Sequence, residues 1–163
     1  MSLLSFCQSV QDGPISTGIR ESIWLFPIIE TTHVLALSVS VGLLVWFDFR
    51  LLGFGIHQPV SRVHKQIMPW TLAGFIIMFI SGVLLTWSEP VKCITSFFFL
   101  AKIFFVLLAG ANAMVFEWTY RDTLADWDNA PVMPRRARIA GALSLVSWFA
   151  VITAGRAMAY NLF

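Results

Sequence analysis

An all-α integral membrane protein, a four-helix antiparallel bundle with both termini outside (N-out/C-out), is the fold class this sequence predicts. Three observations predict it. Of 163 residues, 12% are charged and 58% hydrophobic, and the mean hydropathy is +0.77; a soluble globule carries about a quarter charged residues. Four separate segments are apolar over the roughly 20 residues needed to cross about 30 Å of hydrocarbon. Basic residues crowd the connections on only one side of those segments. The length fits one domain. The net charge of +2 is small and its basic residues sit beside apolar ends, which argues against a nucleic-acid partner and for the lipid bilayer.

Residues 1–22 read as a periplasmic N-terminal tail and 23–163 as the transmembrane domain. The opening MSLLSFCQSVQDGPISTGIR has no positive leading region and no long apolar stretch. It therefore reads as no cleavable signal, and the first span serves as its own insertion signal. Span one is expected over 23–47, bracketed by Trp24 and Trp46, with Pro27 in its first turn, where a missing N–H costs little. Span two is expected over 68–87, with Pro69 at a first-turn position and Trp70 and Trp87 as interfacial belts. Span three covers 96–118 and span four 138–160. Small residues, among them Ser38, Ser40, Gly42, Ser81, Gly82, Ala109, Gly110, Gly141 and Ala142, allow close helix approach. There is no convincing internal repeat.

The loops set the orientation. The first-to-second and third-to-fourth connections hold Arg50, Arg62, Lys65, Arg121, Arg135, Arg136 and Arg138, against Arg20 and Lys92 on the other side. The positive-inside rule places those two connections in the cytoplasm and both termini in the periplasm of a bacterial inner membrane. In the second cytoplasmic loop, Leu124 and Trp127 suit a short interfacial helix. Cys7 and Cys93 then share the periplasmic side, either as a disulfide pinning the tail over the bundle or as two unpaired thiols; an oxidising compartment permits the bridge. No CxxC supports thiol–disulfide exchange chemistry.

Glu30, His33, Lys102 and Arg156 interrupt the apolar spans. A charge at the centre of a spanning helix costs about 2.5–3.5 kcal/mol on insertion scales, so such residues mark sites or pair with one another. With a rise of about 1.5 Å per residue, Glu30 and Lys102 lie about 9 Å below the outer boundary and Arg156 about 6 Å. His33 follows Glu30 by one turn on the same face, and Met78 reaches the depth of His33. One reading is structural: an ion-pair network fixing helix rotation, with the long basic side chains snorkelling outward. The other is a cationic pocket for an anionic group: haem b, with His33 as iron ligand, Met78 as its axial partner and Lys102 and Arg156 on the propionates, or a quinone headgroup. A Glu30/His33 proton relay in a small transporter is a further alternative, and so is a non-catalytic anchor for a redox or transport partner subunit or a homo-oligomer. As an isolated chain, an enzyme is not the expectation.

His57 and His64 fall in or beside the first cytoplasmic loop and read as solvated interfacial residues. Asp48, Arg50, Glu117 and Arg121 read as helix-end anchors and salt bridges, and Asn112 as an interhelical hydrogen-bonding residue.

The runs IRESIWLFPIIETTHVLAL, WFDFRLLG, MPWTLAGF with SGVLL, FFFLAKIFFVLLAGANA and SLVSWFAVITAGRAMAY resemble a family of small, uncharacterised four-helix bacterial inner-membrane proteins. The resemblance runs from about Ile19 to Tyr160. Its motif positions would be Glu30, His33, Asp48, Arg50, Pro69, Trp70, Lys102, Asn112 and Arg156, and it implies the topology and not a reaction. There is a looser similarity to four-helix b-type cytochromes, from whose paired-histidine pattern this chain departs.

Overall fold

The structure, a computed structural model, describes residues 2–55, 57–128, 130 and 132–160. Its elements are α1 (Leu3–Gln11), α2 (Pro14–Glu21), α3 (Leu25–Leu52), α4 (Val60–Ser88), α5 (Pro90–Thr95), α6 (Phe97–Tyr120), a 3₁₀ segment (Arg121–Trp127) and α7 (Arg135–Ala159). No strand occurs among the described residues. Four helices are long and apolar enough to cross a membrane. Their outward surface is oily, with Phe79 73%, Leu107 67% and Phe149 75% exposed, as suits a lipid environment.

Local chemistry sets the ends. Ser2 accepts from the Ser5 N–H at 3.2 Å to start α1, and Ser96 does the same for Phe99 at the start of α6, satisfying N–H groups that have no partner inside the helix. Pro14 and Pro90 open α2 and α5, where their fixed φ already suits a helix. Gly53 closes α3 at φ 104°. The Phe54 N–H bonds the Phe49 carbonyl and the Gly53 N–H bonds that of Arg50, the paired closure that a left-handed glycine permits.

Pro27 lies in the first turn of α3, as expected. Pro69 does not lie in a first turn. Helix α4 begins at Val60, so Pro69 sits well inside it and removes the bond that would otherwise reach the Lys65 carbonyl. The polar first turns, with Arg62 and Lys65, hid this extension, because apolar periodicity begins only near Ile67.

Helix α3 packs on α4 and on α7, and α7 packs on α6, while no Cα of α4 comes within 8 Å of one in α6. Helices α3 and α7 are therefore the middle of the assembly, flanked by α4 and α6. Glycines set the close approaches. A Cβ on Gly74 would stand 2.9 Å from Ser40 Cβ, and one on Gly141 would stand 3.0 Å from the Asp48 carbonyl oxygen. One apolar cluster, centred on Phe47, Leu51, Val60 and Phe116, fills the end that carries the basic loops. A second joins Val41, Leu44, Ala109, Trp148 and Val151. Leu124 is 2% exposed and Trp127 packs beside it, so the 3₁₀ segment turns inward onto this core, whereas an interfacial helix was expected.

At the opposite end α1, α2 and α5 pack together and against the long helices. The Ser16 hydroxyl lies 2.7 Å from the Val10 carbonyl and 2.8 Å from that of Trp87. Arg20 donates to the Gln11 and Ser88 carbonyls, meeting unpaired acceptors at the end of α4. Residues 2–22 are therefore mostly helical and tied down. Cys7 and Cys93 are two unbridged, buried thiols, on helices α1 and α5 that pack against each other.

Candidate functional site

Of the four ionisable residues expected to converge, two face inward. His33 leaves α3 toward α4, where its Nδ1 lies 2.9 Å from Ser81 Oγ. Ser81 Oγ is also 2.7 Å from the Ile77 carbonyl. The Ser81 hydroxyl has one hydrogen; given to the Ile77 carbonyl, which can only accept, it makes Ser81 the acceptor of the bond with His33. In that arrangement Nδ1 is the protonated ring atom and Nε2 the acceptor. Gly82 makes room for the ring: a Cβ there would stand 3.1 Å from His33 Cε1. Lys102 on α6 reaches toward Gly155 of α7, where a Cβ would meet its Nζ at 3.8 Å. Its ammonium is near enough to the His33 ring for the two to interact electrostatically.

Glu30 and Arg156 do not join them. Glu30 is exposed on the outer side of α3. Arg156 is exposed too, donating to Tyr160 Oη at 2.9 Å and lying over that ring at 5.3 Å. Arg156 is thus directed toward the helix end, as the snorkelling reading expects. Met78 packs into the cluster of Val41, Leu44 and Trp148.

A porphyrin ligated between His33 and Met78 does not suit this geometry. The His33 ring rests on Gly82 and bonds Ser81, both on the helix that carries Met78. A macrocycle between the two ligands would have to part α3 from α4, which are in contact at Ser40 and Gly74. No group of three or more His, Cys, Asp or Glu side chains suited to a metal ion occurs among the described residues.

The opposite end holds a polar group that sequence reasoning treated as interfacial. His64 is buried, 6% exposed, and its Nε2 is 2.9 Å from Glu117 Oε2; the expectation of a solvated His64 is corrected. Phe47 covers the ring at 5.5 Å between centroids, which is why a histidine next to a polar loop stays dry. His57 is exposed, as expected. Glu117 Oε1 also meets Arg121 Nε at 3.7 Å. Asn112 donates to the Ala140 carbonyl at 3.0 Å, linking α6 to α7, the interhelical role expected of it. Asp48 and Arg50 are each 3% exposed, so anchoring at a wet helix end does not describe them. Arg50 Nε donates to the Gln58 carbonyl at 2.8 Å. Asp128 takes the Ser61 N–H at 2.9 Å and its hydroxyl at 2.5 Å, capping α4 from a distant loop.

The chain was compared with protein-family models, curated proteins and solved structures, and none of them matches it.

Proposed function

We propose that the protein is a multi-pass protein of the bacterial inner membrane, an antiparallel four-helix bundle with both termini periplasmic. In this reading it binds a quinone-class headgroup at His33 and Lys102 as a membrane subunit of a redox system. The observation that carries the reading is the His33–Ser81 hydrogen bond. It leaves Nε2 as an acceptor suited to a quinol hydroxyl, with the Lys102 ammonium nearby as a donor for a carbonyl or phenolate oxygen. Helices α4 and α6 make no close backbone approach, and in this reading the headgroup enters from the lipid between them. Seven basic residues at the helix ends and connections of the other end, against two on this side, support the orientation.

The test is quinone binding by the purified full chain in detergent. Organic extraction should recover quinone from the preparation, and a short-chain quinone should quench tryptophan fluorescence, with His33→Ala and Lys102→Met each weakening binding about tenfold, the scale of one lost hydrogen bond to a charged or buried group. A quinone-free extract together with unquenched fluorescence would sink the reading. Oxidised and dithionite-reduced visible spectra test haem directly, and a Soret band lost in His33→Ala would restore it.

A second reading rests on Glu30. A short carboxylate on the outer face of an apolar helix is costly in lipid, which favours a second copy or a partner subunit covering that side of α3. Cross-linking from a cysteine placed at Glu30 tests it, and a monomer at every protein-to-lipid ratio would count against it.

A further inference from the structure

The end of the bundle that carries the basic loops holds a half-open cavity of about 40 Å³ between α3, α4, α6 and α7. Apolar side chains, Phe47, Leu51, Met68 and Phe116 among them, form much of its wall. Four polar residues also line it: Asp48, Asn112, Glu117 and Ser144. A water needs about 10–15 Å³ of such volume and two to four polar partners, so the space takes two or three waters. Asp48 Oδ2 is buried with no hydrogen-bond partner among the described residues. In a side chain 3% exposed, a bare carboxylate oxygen is costly unless a proton or a bound water meets it.

The groups around Asp48 leave it without a counter-charge. From α7 it faces Ser144 and the backbone at Gly141. From α6 come Asn112 and Glu117, and from α4 Met68, with His64 behind Glu117. On its own helix Arg50 turns to the Gln58 carbonyl and lies within the field of Asp128. No cation pairs with Asp48 among the described residues. Glu117 is on the cavity wall and also touches His64 on one oxygen and Arg121, 71% exposed, on the other. It therefore joins the interior to the surface.

We propose that Asp48, Asn112, Glu117 and Ser144 form a hydrated proton-binding pocket, with Glu117 as its exchange route to the solvent at the basic-loop end. A proton taken from hydronium at Glu117, whose side chain reaches the surface, passes through water between Glu117 and Asp48 and is bound on Asp48 Oδ2, turning the carboxylate into the acid. Release runs the same path backwards, and no electron moves. The pocket is separate from the His33–Lys102 group and does not depend on what binds there.

Infrared difference spectroscopy on the full chain in lipid nanodiscs tests this, comparing acid and alkaline conditions with aspartate isotopically labelled at its side-chain carboxyl. Asp12, Asp122, Asp126 and Asp128 lie outside the four long helices, so a protonated-aspartate C=O band at neutral pH reports Asp48. The band should be present in the native chain, absent in Asp48→Asn, and shifted in midpoint by about one pH unit in Glu117→Gln, as for coupled sites. A native chain without the band at neutral pH overturns the proposal, and so does a band that survives Asp48→Asn. If Asp48→Asn does not fold, the midpoint in Glu117→Gln and in Ser144→Ala decides, and a value unchanged in both overturns it.

Discussion

His64 on α4 and Glu117 on α6 meet at 2.9 Å, Nε2 to Oε2, although the backbones of those two helices stay more than 8 Å apart. The pair is therefore a side-chain strut across a seam where the two helices make no close backbone approach, sealed on one side by Phe47. Removing its acceptor strands a buried imidazole N–H. Glu117→Leu should cost about 1–3 kcal/mol of stability, the range for a buried polar group left unpaired. Arg121→Ala, which removes only an exposed partner, should stay within about 0.5 kcal/mol. Unfolding in mixed detergent micelles reads both, and equal effects would contradict the strut.

Two pairs of glycines should behave oppositely on substitution. Gly74→Ala places a Cβ 2.9 Å from Ser40 Cβ and 3.2 Å from the Ala36 carbonyl oxygen, with backbone that cannot swing aside, so a loss of about 1–3 kcal/mol is expected from overpacking. Gly141→Ala meets the Asp48 carbonyl at 3.0 Å and should behave alike. Gly42→Ala and Gly110→Ala meet nothing within 4 Å and should be neutral or stabilising by up to about 1 kcal/mol. The same unfolding assay separates the two pairs.

Burial pushes the Cys93 thiol above its ordinary value of 9.0, with the Glu89 carboxylate adding to the rise. A thiol raised in the folded state favours folding while it is neutral, so its contribution is complete below the ordinary value and is lost as pH rises through the folded one. Alkylation of Cys93 by iodoacetamide in the folded protein should accordingly be slow at neutral pH and accelerate only in alkali. A neutral-pH rate equal to that of an exposed thiol would contradict the burial.

The N-terminal helices are held by two side chains acting on carbonyls. Ser16 reaches Val10 and Trp87, and Arg20 reaches Gln11 and Ser88. Ser16→Ala and Arg20→Ala should each weaken the docking by about 1 kcal/mol, the net worth of a typical hydrogen bond. Limited proteolysis checks this, with faster cleavage between α1 and α3 in both variants and no change in the long helices.

The four apolar helices were legible in the sequence because lipid demands runs of that length and their interruption by polar loops is abrupt. Their ends were less so. Helix α4 continues through Arg62, His64 and Lys65, since a helix does not stop where hydrophobicity stops. The inward pair His33 and Lys102 was legible as chemistry, and Asn112 as an interhelical bond. The outward placement of Glu30 was not, because its depth follows from residue counting whereas its direction follows from how α3 is rotated.

By itself, then, the sequence determined an all-helical chain with four helices long and apolar enough for a membrane, and which ionisable residues fall inside them. Which of those side chains face one another depends on how the helices pack. That packing turned His33 to Ser81, sent Glu30 and Arg156 outward, and buried Asp48 and His64 at an end the sequence read as wet. The reason is physical. Spacing along a helix fixes the rise and relative angle of its side chains, but the rotation of the whole helix is set by close approaches such as Ser40 to Gly74 and Asp48 to Gly141, which pair residues far apart in the chain.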